Sequence, residues 1–326
     1  MAKSFFAGKS VLVAGGAGFV GFNLTQRLLK LKAKVRATVH TNPPPIAYDA
    51  VDYVRCDLAT AAGAKAPMCG VDYVFMCAAN TSGAAVIEGN PLAHVTPNVL
   101  MNTLVLEEAF RAGVKKFLFI SSNTVYPNVA YHVKEDDVTN DFYEKYFCVA
   151  WMKRFTEILC QMYAEKIKKP MKTVVVRPAN IYGPFDDFAW ETSHVLPALM
   201  RKALEHHEPL EVWGDGNDVK DFIYIDDLVD GLLLAMEKID SYMPINIGTG
   251  RACSIKRALR AILSCAKYKD AKIVFNNSKP TMIPKRLIDV SLAKRILKFH
   301  AKTSIEEGVE KTIQWYRKQY KKQGLL

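Results

Sequence analysis

Three glycines at a spacing of three, Gly15, Gly18 and Gly21, separate a short apolar run at 10–14 from a helical pattern at 18–31. Glycines at such a strand-to-helix junction have separable jobs. One makes the tight turn, one lets backbone N–H groups approach a pyrophosphate, and one lets the helix pack closely on the sheet. The segment Gly15-GAGFV-Gly21, with Phe19 and Val20 opening the helix, therefore predicts a cradle for a dinucleotide. The loop also dictates topology, because this β-loop-α unit is the first step of a parallel sheet.

The pattern continues accordingly. Apolar runs at 34–39, 51–54, 71–76, 116–121 and 171–176 alternate with helical stretches at 91–112 and 147–167. Continuous apolar strands separated by helices imply a parallel sheet covered on both faces, a doubly wound α/β fold of Rossmann type. After Arg177 the texture changes, with Pro178, Gly183, Pro184, Pro197, Pro209, Gly214 and Gly216 punctuating shorter elements. The expected division is a dinucleotide-binding domain over 1–177, to which 217–247 returns, and a smaller substrate-binding lobe formed by 178–216 and 248–326.

Composition excludes several other classes. Half of the 326 residues are hydrophobic and 24% are charged, enough for a large core. No stretch approaches the roughly 18 apolar residues of a membrane helix, and no leader pattern opens the chain, so a cytoplasmic protein without membrane partners is expected. The seven cysteines form no C-x-x-C pair and read as reduced, buried thiols, with no metal site. The net charge of +11 is spread out. Its densest stretch, 302–322, carries an apolar stripe (Ile305, Val309, Ile313, Trp315, Tyr316, Tyr320) and reads as a terminal helix with one solvated face, not a nucleic-acid site.

At the end of the second strand an acid would bind the ribose hydroxyl of NAD, and a cation the 2′-phosphate of NADP. Here the run is Val39-His40-Thr41-Asn42, with Arg36 on the strand and no acid until Asp49. That favours NADP, with NAD as the alternative and His40 as the residue to test.

In their order and spacing, the motifs resemble those of the extended short-chain dehydrogenase/reductases of the nucleotide-sugar epimerase/dehydratase group, over nearly the whole chain. The resemblance implies that Asp57 and Leu58 meet the adenine, that Ala78 and Ala79 lie over the cofactor, and that Asn98 supports them. Ser121-SNTVY-Pro127 has the form of the catalytic Ser/Thr segment. Arg177-PANIYG-Pro184, with Pro178 and Asn180, has that of the turn meeting nicotinamide and substrate. The block from Val212 to Val229 also matches the group. Within it the chain is most similar to GDP-fucose synthase-like enzymes, through Ser193-HVLPALMR-Lys202 and Pro284-KRLI-Asp289. This implies a GDP-linked sugar substrate whose diphosphate is held by Lys202, Lys220 and Arg286, with Trp213 alongside. It further implies a homodimer paired through the helices at 98–112 and 147–167.

One departure stands out. The family's chemistry uses Ser or Thr with a Tyr and Lys four apart on a helix, where the ammonium lowers the phenol pKa. Ser122 and Lys153 are present, but Val149 occupies the tyrosine position. Tyr146 is a further turn away, about 10 Å along the axis from Lys153, so Tyr126, Ser122, Thr124 or a water must supply the proton. Lys153 can still bind the nicotinamide ribose. Of the two bases expected for epimerisation, His194 is kept and a cysteine is replaced by Thr124. The expected function is hydride transfer at sugar C4 by a nicotinamide-dependent oxidoreductase/epimerase with a non-standard acid/base. The competing reading is a cofactor-binding sensor or scaffold that has lost catalysis.

Overall fold

A computed structural model describes residues 4–81 and 89–322, with the side chains of Pro91, Ala93, Tyr320, Lys321 and Lys322 outside the described set. Seven parallel strands form the central sheet: β1 (Ser10–Ala14), β2 (Lys34–Val39), β3 (Val51–Arg55), β4 (Tyr73–Met76), β5 (Lys116–Ile120), β7 (Lys172–Pro178) and β12 (Met243–Ile247). Their spatial order is β3-β2-β1-β4-β5-β7-β12, so the direction of winding reverses between β1 and β4. In an open α/β sheet, ligands bind in the crevice at that reversal, at the carboxyl ends of the strands.

Alternation along each strand builds two cores. Val11 and Val13 join Leu24 and Leu28 of α1 (Phe19–Lys30) and Leu228 and Leu232 of α6 (Ile225–Lys238) on one face. Leu12 and Ala14 meet Val105, Leu106 and Ala109 of α3 (Val95–Arg111) and Cys160 of α4 (Phe147–Glu165) on the other. Both faces are thus apolar, which is why the strands read as unbroken hydrophobic runs. The helical pattern expected at 91–112 opens as a 3-10 turn at Pro91–His94, where Pro91 can sit without a backbone donor.

The remainder of the chain packs over the carboxyl edge. A four-stranded sheet orders β13 (Cys253–Ser254), β10 (Val219–Lys220), β15 (Lys285–Ile288) and β6 (His132–Val133). Two ribbons pair β8 (Asn180–Tyr182) with β11 (Phe222–Tyr224), and β9 (Leu210–Trp213) with β14 (Ile273–Asn276). Helices α5 (Val195–Leu204), α7 (Ile255–Ala266) and α9 (Ile305–Lys322) pack together here. On α9, Val309, Ile313 and Tyr316 are buried, as the amphipathic stripe requires. The cysteines are less uniformly buried than expected. Cys160 and Cys253 are inside, Cys69 is exposed, and the other four are part-buried. No helix among the described residues is long and apolar enough to cross a membrane.

Candidate active site

The glycine loop lies at the winding reversal. Gly15 adopts φ +86°, and a Cβ there would stand 2.6 Å from the Cα of Ala78 at the end of β4. A Cβ on Gly21 would fall 2.1 Å from the Gly15 carbonyl oxygen. Both contacts require glycine, and they press the loop against the Ala78-Ala79 segment. Thr38 of β2 fixes its other side: Thr38 Oγ1 accepts from Gly15 N at 2.8 Å and Thr38 O from Gly16 N at 2.9 Å. Gly18 caps α1 with no side-chain acceptor, and the first turn, including Phe19 and Val20, holds no acid. The helix's leading N–H groups are therefore available to an anion. A nicotinamide dinucleotide fits this cradle.

Around it, Leu58 is buried and the exposed Asp57 turns Oδ1 onto Ala59 N at 2.9 Å. Asn98 is fully buried with its amide engaged by protein. It donates to Asn80 O at 2.8 Å and His94 O at 2.6 Å, and accepts from Asn80 N at 2.9 Å. Asn98 thus positions the 78–80 segment, and its role toward a cofactor is indirect. Arg36 is occupied by Asp52 at 2.6 Å and by the carbonyls of Pro67 and Cys69. It is unavailable to a 2′-phosphate. His40 is exposed beyond the end of β2.

At the end of β5, Ser122 caps a one-turn helix, and its Oγ accepts from Thr124 N at 3.1 Å, leaving its own hydroxyl hydrogen free. Among the described residues, Thr124 Oγ1 is buried without a hydrogen-bond partner. A buried hydroxyl of that kind is destabilising unless something satisfies it, so it fits a ligand oxygen. Lys153 of α4 donates to Ile120 O at 3.0 Å and lies 5.0 Å over the Phe119 ring. Burial pulls its pKa down to about 8, opposed first by the Glu157 carboxylate and then by Cys77. Val149 is part-buried one turn earlier on the same face.

Tyr126 does not replace the phenol. It is fully buried, and its hydroxyl donates to Asn246 Oδ1 at 2.6 Å and accepts from Arg177 Nη1 at 3.1 Å. Burial raises its pKa far above the ordinary phenol value. Nor does Arg177 of the R-P-x-N motif meet a ligand. It forks onto Glu157 through Nε to Oε1 at 2.8 Å and Nη2 to Oε2 at 2.7 Å, both side chains being sealed from solvent. Ser121 Oγ adds a bond to Glu157 Oε1 at 2.6 Å. This polar layer ties α4, β5, β7 and β12 together directly beneath the site. Of the motif, Pro178 remains, its carbonyl accepting from Asn123 Nδ2 at 3.0 Å, together with the part-buried Asn180.

His194 sits exposed at the N-cap of α5, where desolvation by surrounding protein lowers its pKa against the pull of Asp187. The three cations expected at the diphosphate are deployed unequally. Lys202 is part-exposed and donates to Glu211 O at 2.8 Å. Lys220 is buried, with its ammonium on Ile283 O and 3.5 Å from Asp218. Arg286 is buried too and donates to Pro127 O at 2.9 Å and Tyr126 O at 3.0 Å, but its Nε has no partner among the described residues. Burial brings the Arg286 pKa down to about 10. Two neighbours escape motif reasoning. Tyr146, whose pKa burial pushes up to about 12 against the pull of Arg286, belongs to this end of the cleft and not to Lys153. Lys279 lies 5.8 Å from the exposed Trp213 ring, and nothing local in its sequence signals that.

Known proteins resemble the chain over nearly its whole length. The chain is 29% identical over 325 residues to a probable GDP-L-fucose synthase 1 of Oryza sativa subsp. japonica, spanning 96% of this chain and 94% of the relative. It is 28% identical to a dTDP-4-dehydro-6-deoxy-D-allose reductase from a Streptomyces species, over 97% of this chain and 99% of that one. Among solved structures, a UDP-glucose 4-epimerase of Thermotoga maritima with UDP-glucose superposes with a TM-score of 0.86 at 27% identity, covering 95% and 99% of the two chains. With a glycine cradle at the winding reversal, a serine turn at β5 and a lysine facing it, residues 11–248 match the model of one family, and the chain belongs to the NAD dependent epimerase/dehydratase family, as a nucleotide-sugar enzyme of the epimerase/reductase type.

Proposed function

We propose that the protein transfers hydride at C4 of a GDP-linked sugar, using NADP and a hydroxyl of the Ser122–Thr124 turn in place of the missing tyrosine. The observation that carries this is the buried, unpartnered Thr124 Oγ1 beside Ser122, on the turn that follows the carbonyl held by Lys153. A bound nicotinamide would supply or accept the hydride. Lys153 would hold its ribose, and Ser122 and Thr124 would exchange a proton with the sugar oxygen. His194 would exchange a carbon-bound proton for epimerisation, and Lys202, Lys220, Arg286, Asn180 and Trp213 would hold the nucleotide. The substrate lobe in this reading is 178–216 with 248–326, while 217–247 returns to the sheet. NAD, and UDP- or TDP-linked sugars, are the alternatives.

The test is incubation in deuterated water with NAD or NADP and a panel of GDP-, UDP- and TDP-sugars, including 4-keto-6-deoxy forms, read by mass spectrometry. Gain or loss of two hydrogens on a GDP-sugar is the expected result, and deuterium uptake would report His194. Val149 gives a second reading its footing: if cofactor binds and no sugar changes, the protein is a sensor or scaffold.

Lys153 makes the first step pH-sensitive. An unfolded lysine keeps its proton to 10.5 and this one to about 8, so between those values the unfolded chain binds more protons. Stability from this group therefore rises with pH across that window. Cofactor affinity has the opposite sign, because only the ammonium donates strongly to a ribose oxygen. NADPH binding measured by fluorescence should weaken ~10-fold from pH 7 to pH 9, and Lys153→Met should abolish the dependence.

The outer faces of α3 and α4 expose Leu100, Met162, Phe147 (51%), Trp151 (40%) and Phe155 (41%). An apolar face of this kind marks an interface, here with a second copy of the chain. Trp151→Glu with Phe155→Glu should convert a dimer to a monomer in light scattering; an unchanged mass would place the interface elsewhere.

A further inference from the structure

We propose that Arg55, with His40, is the group that distinguishes NADP from NAD. The inference deepens the NADP reading above and rests on it.

The bonds from Gly15 N and Gly16 N to Thr38 hold the end of β2 beside the pyrophosphate cradle. In a doubly wound fold the adenosine ribose lies at that strand end. What stands there is cationic. β2 and β3 run in register to their last pair, Val39 with Arg55, which brings Arg55 to the same edge. Its Nη1 donates to His40 O at 2.8 Å, so the guanidinium reaches past its own strand to the residue that follows β2. Arg55 is exposed, and among the described residues it has no carboxylate partner. Arg36, by contrast, is neutralised by Asp52, the residue directly opposite it in the β2–β3 register. The nearest acid after Arg55, Asp57, turns onto Ala59 N. A guanidinium with one N–H on a backbone carbonyl still has donors for two phosphate oxygens, and its planar fork suits them. The His40 imidazole, 3.4 Å from Thr41 Oγ1, supplies a neighbouring donor. The charge recognised is thus the 2′-phosphate of the adenosine ribose.

Binding of adenosine fragments to the full chain by calorimetry isolates this contact without needing turnover. Wild type should bind 2′,5′-ADP ~10- to 100-fold more tightly than 5′-AMP, the range for charge-assisted hydrogen bonds. Arg55→Ala should bring the two within about threefold, the remainder being the His40 contribution, and leave 5′-AMP affinity unchanged, which also shows that the fold is intact. Arg55→Lys should recover part of the difference, as a point charge without the fork. If wild type prefers 2′,5′-ADP and Arg55→Ala retains the full preference, Arg55 is not the selector and the NADP reading stands alone. Equal binding of the two fragments by wild type removes the NADP reading and this inference with it.

Discussion

Arg177→Met should lower the unfolding free energy by about 3–5 kcal/mol, read as a fall in the urea midpoint at unchanged slope and fixed protein concentration. The size follows from what the substitution leaves behind. Glu157 is fully buried, and without the guanidinium its charge would retain only Ser121 Oγ at 2.6 Å and Arg154 Nη1 at 3.2 Å. Tyr126 would lose the donor to its hydroxyl, and Glu135 O the donor at 2.8 Å. A buried charge left with only a hydroxyl and the single, longer contact to Arg154 is more costly than an absent pair. Glu157→Leu added to Arg177→Met should therefore be more stable than Arg177→Met alone, the non-additivity expected of contacting residues. The damage reaches the site as well: Glu157 lies one turn beyond Lys153 on α4 and is the largest influence opposing its depressed pKa. An unchanged midpoint for Arg177→Met would show that the layer beneath the site bears no stability.

The sheet was legible in the sequence because strands buried on both faces leave unbroken apolar runs, and β1 and β2 coincide with theirs at 10–14 and 34–39. The two-residue strands β6, β10 and β13 have no periodicity to read, and they form only because distant segments meet. Side-chain fate follows the same division. The glycine loop is a local device, so its spacing suffices to find it. Tyr126 sits in a motif that looks reactive, yet its hydroxyl is claimed by Asn246, 120 residues away. Arg177 is likewise claimed by Glu157, 20 residues earlier on another element. The ribose end shows the same limit. Arg36 lies within β2 and Arg55 closes β3, and only strand register shows that one faces Asp52 and that the other reaches the His40 carbonyl.

Ser122→Ala combined with Thr124→Val should reduce turnover of the nucleotide sugar by ~10²–10⁴, the usual contribution of a positioned acid/base. With valine at 149, the turn after the Ile120 carbonyl that Lys153 holds carries two hydroxyls, Ser122 and Thr124, with no protein acceptor among the described residues. Tyr126 is committed to Asn246, and Tyr146 lies toward Arg286. Cofactor affinity should change little, since the cradle and Lys153 are untouched, so the loss should fall on kcat. Adding Val149→Tyr to the double variant would place a phenol four residues before Lys153 on the same helix face. There the ammonium favours the phenolate, and part of the lost rate should return. The same substitution in wild type separates two histories of the site. A large gain means the chemistry runs as an impaired tyrosine mechanism. No gain, with a strong loss for Ser122→Ala and Thr124→Val, means the hydroxyl turn has become the acid in its own right. Wild-type turnover by the Ser122/Thr124 double variant would exclude the turn as the proton source altogether.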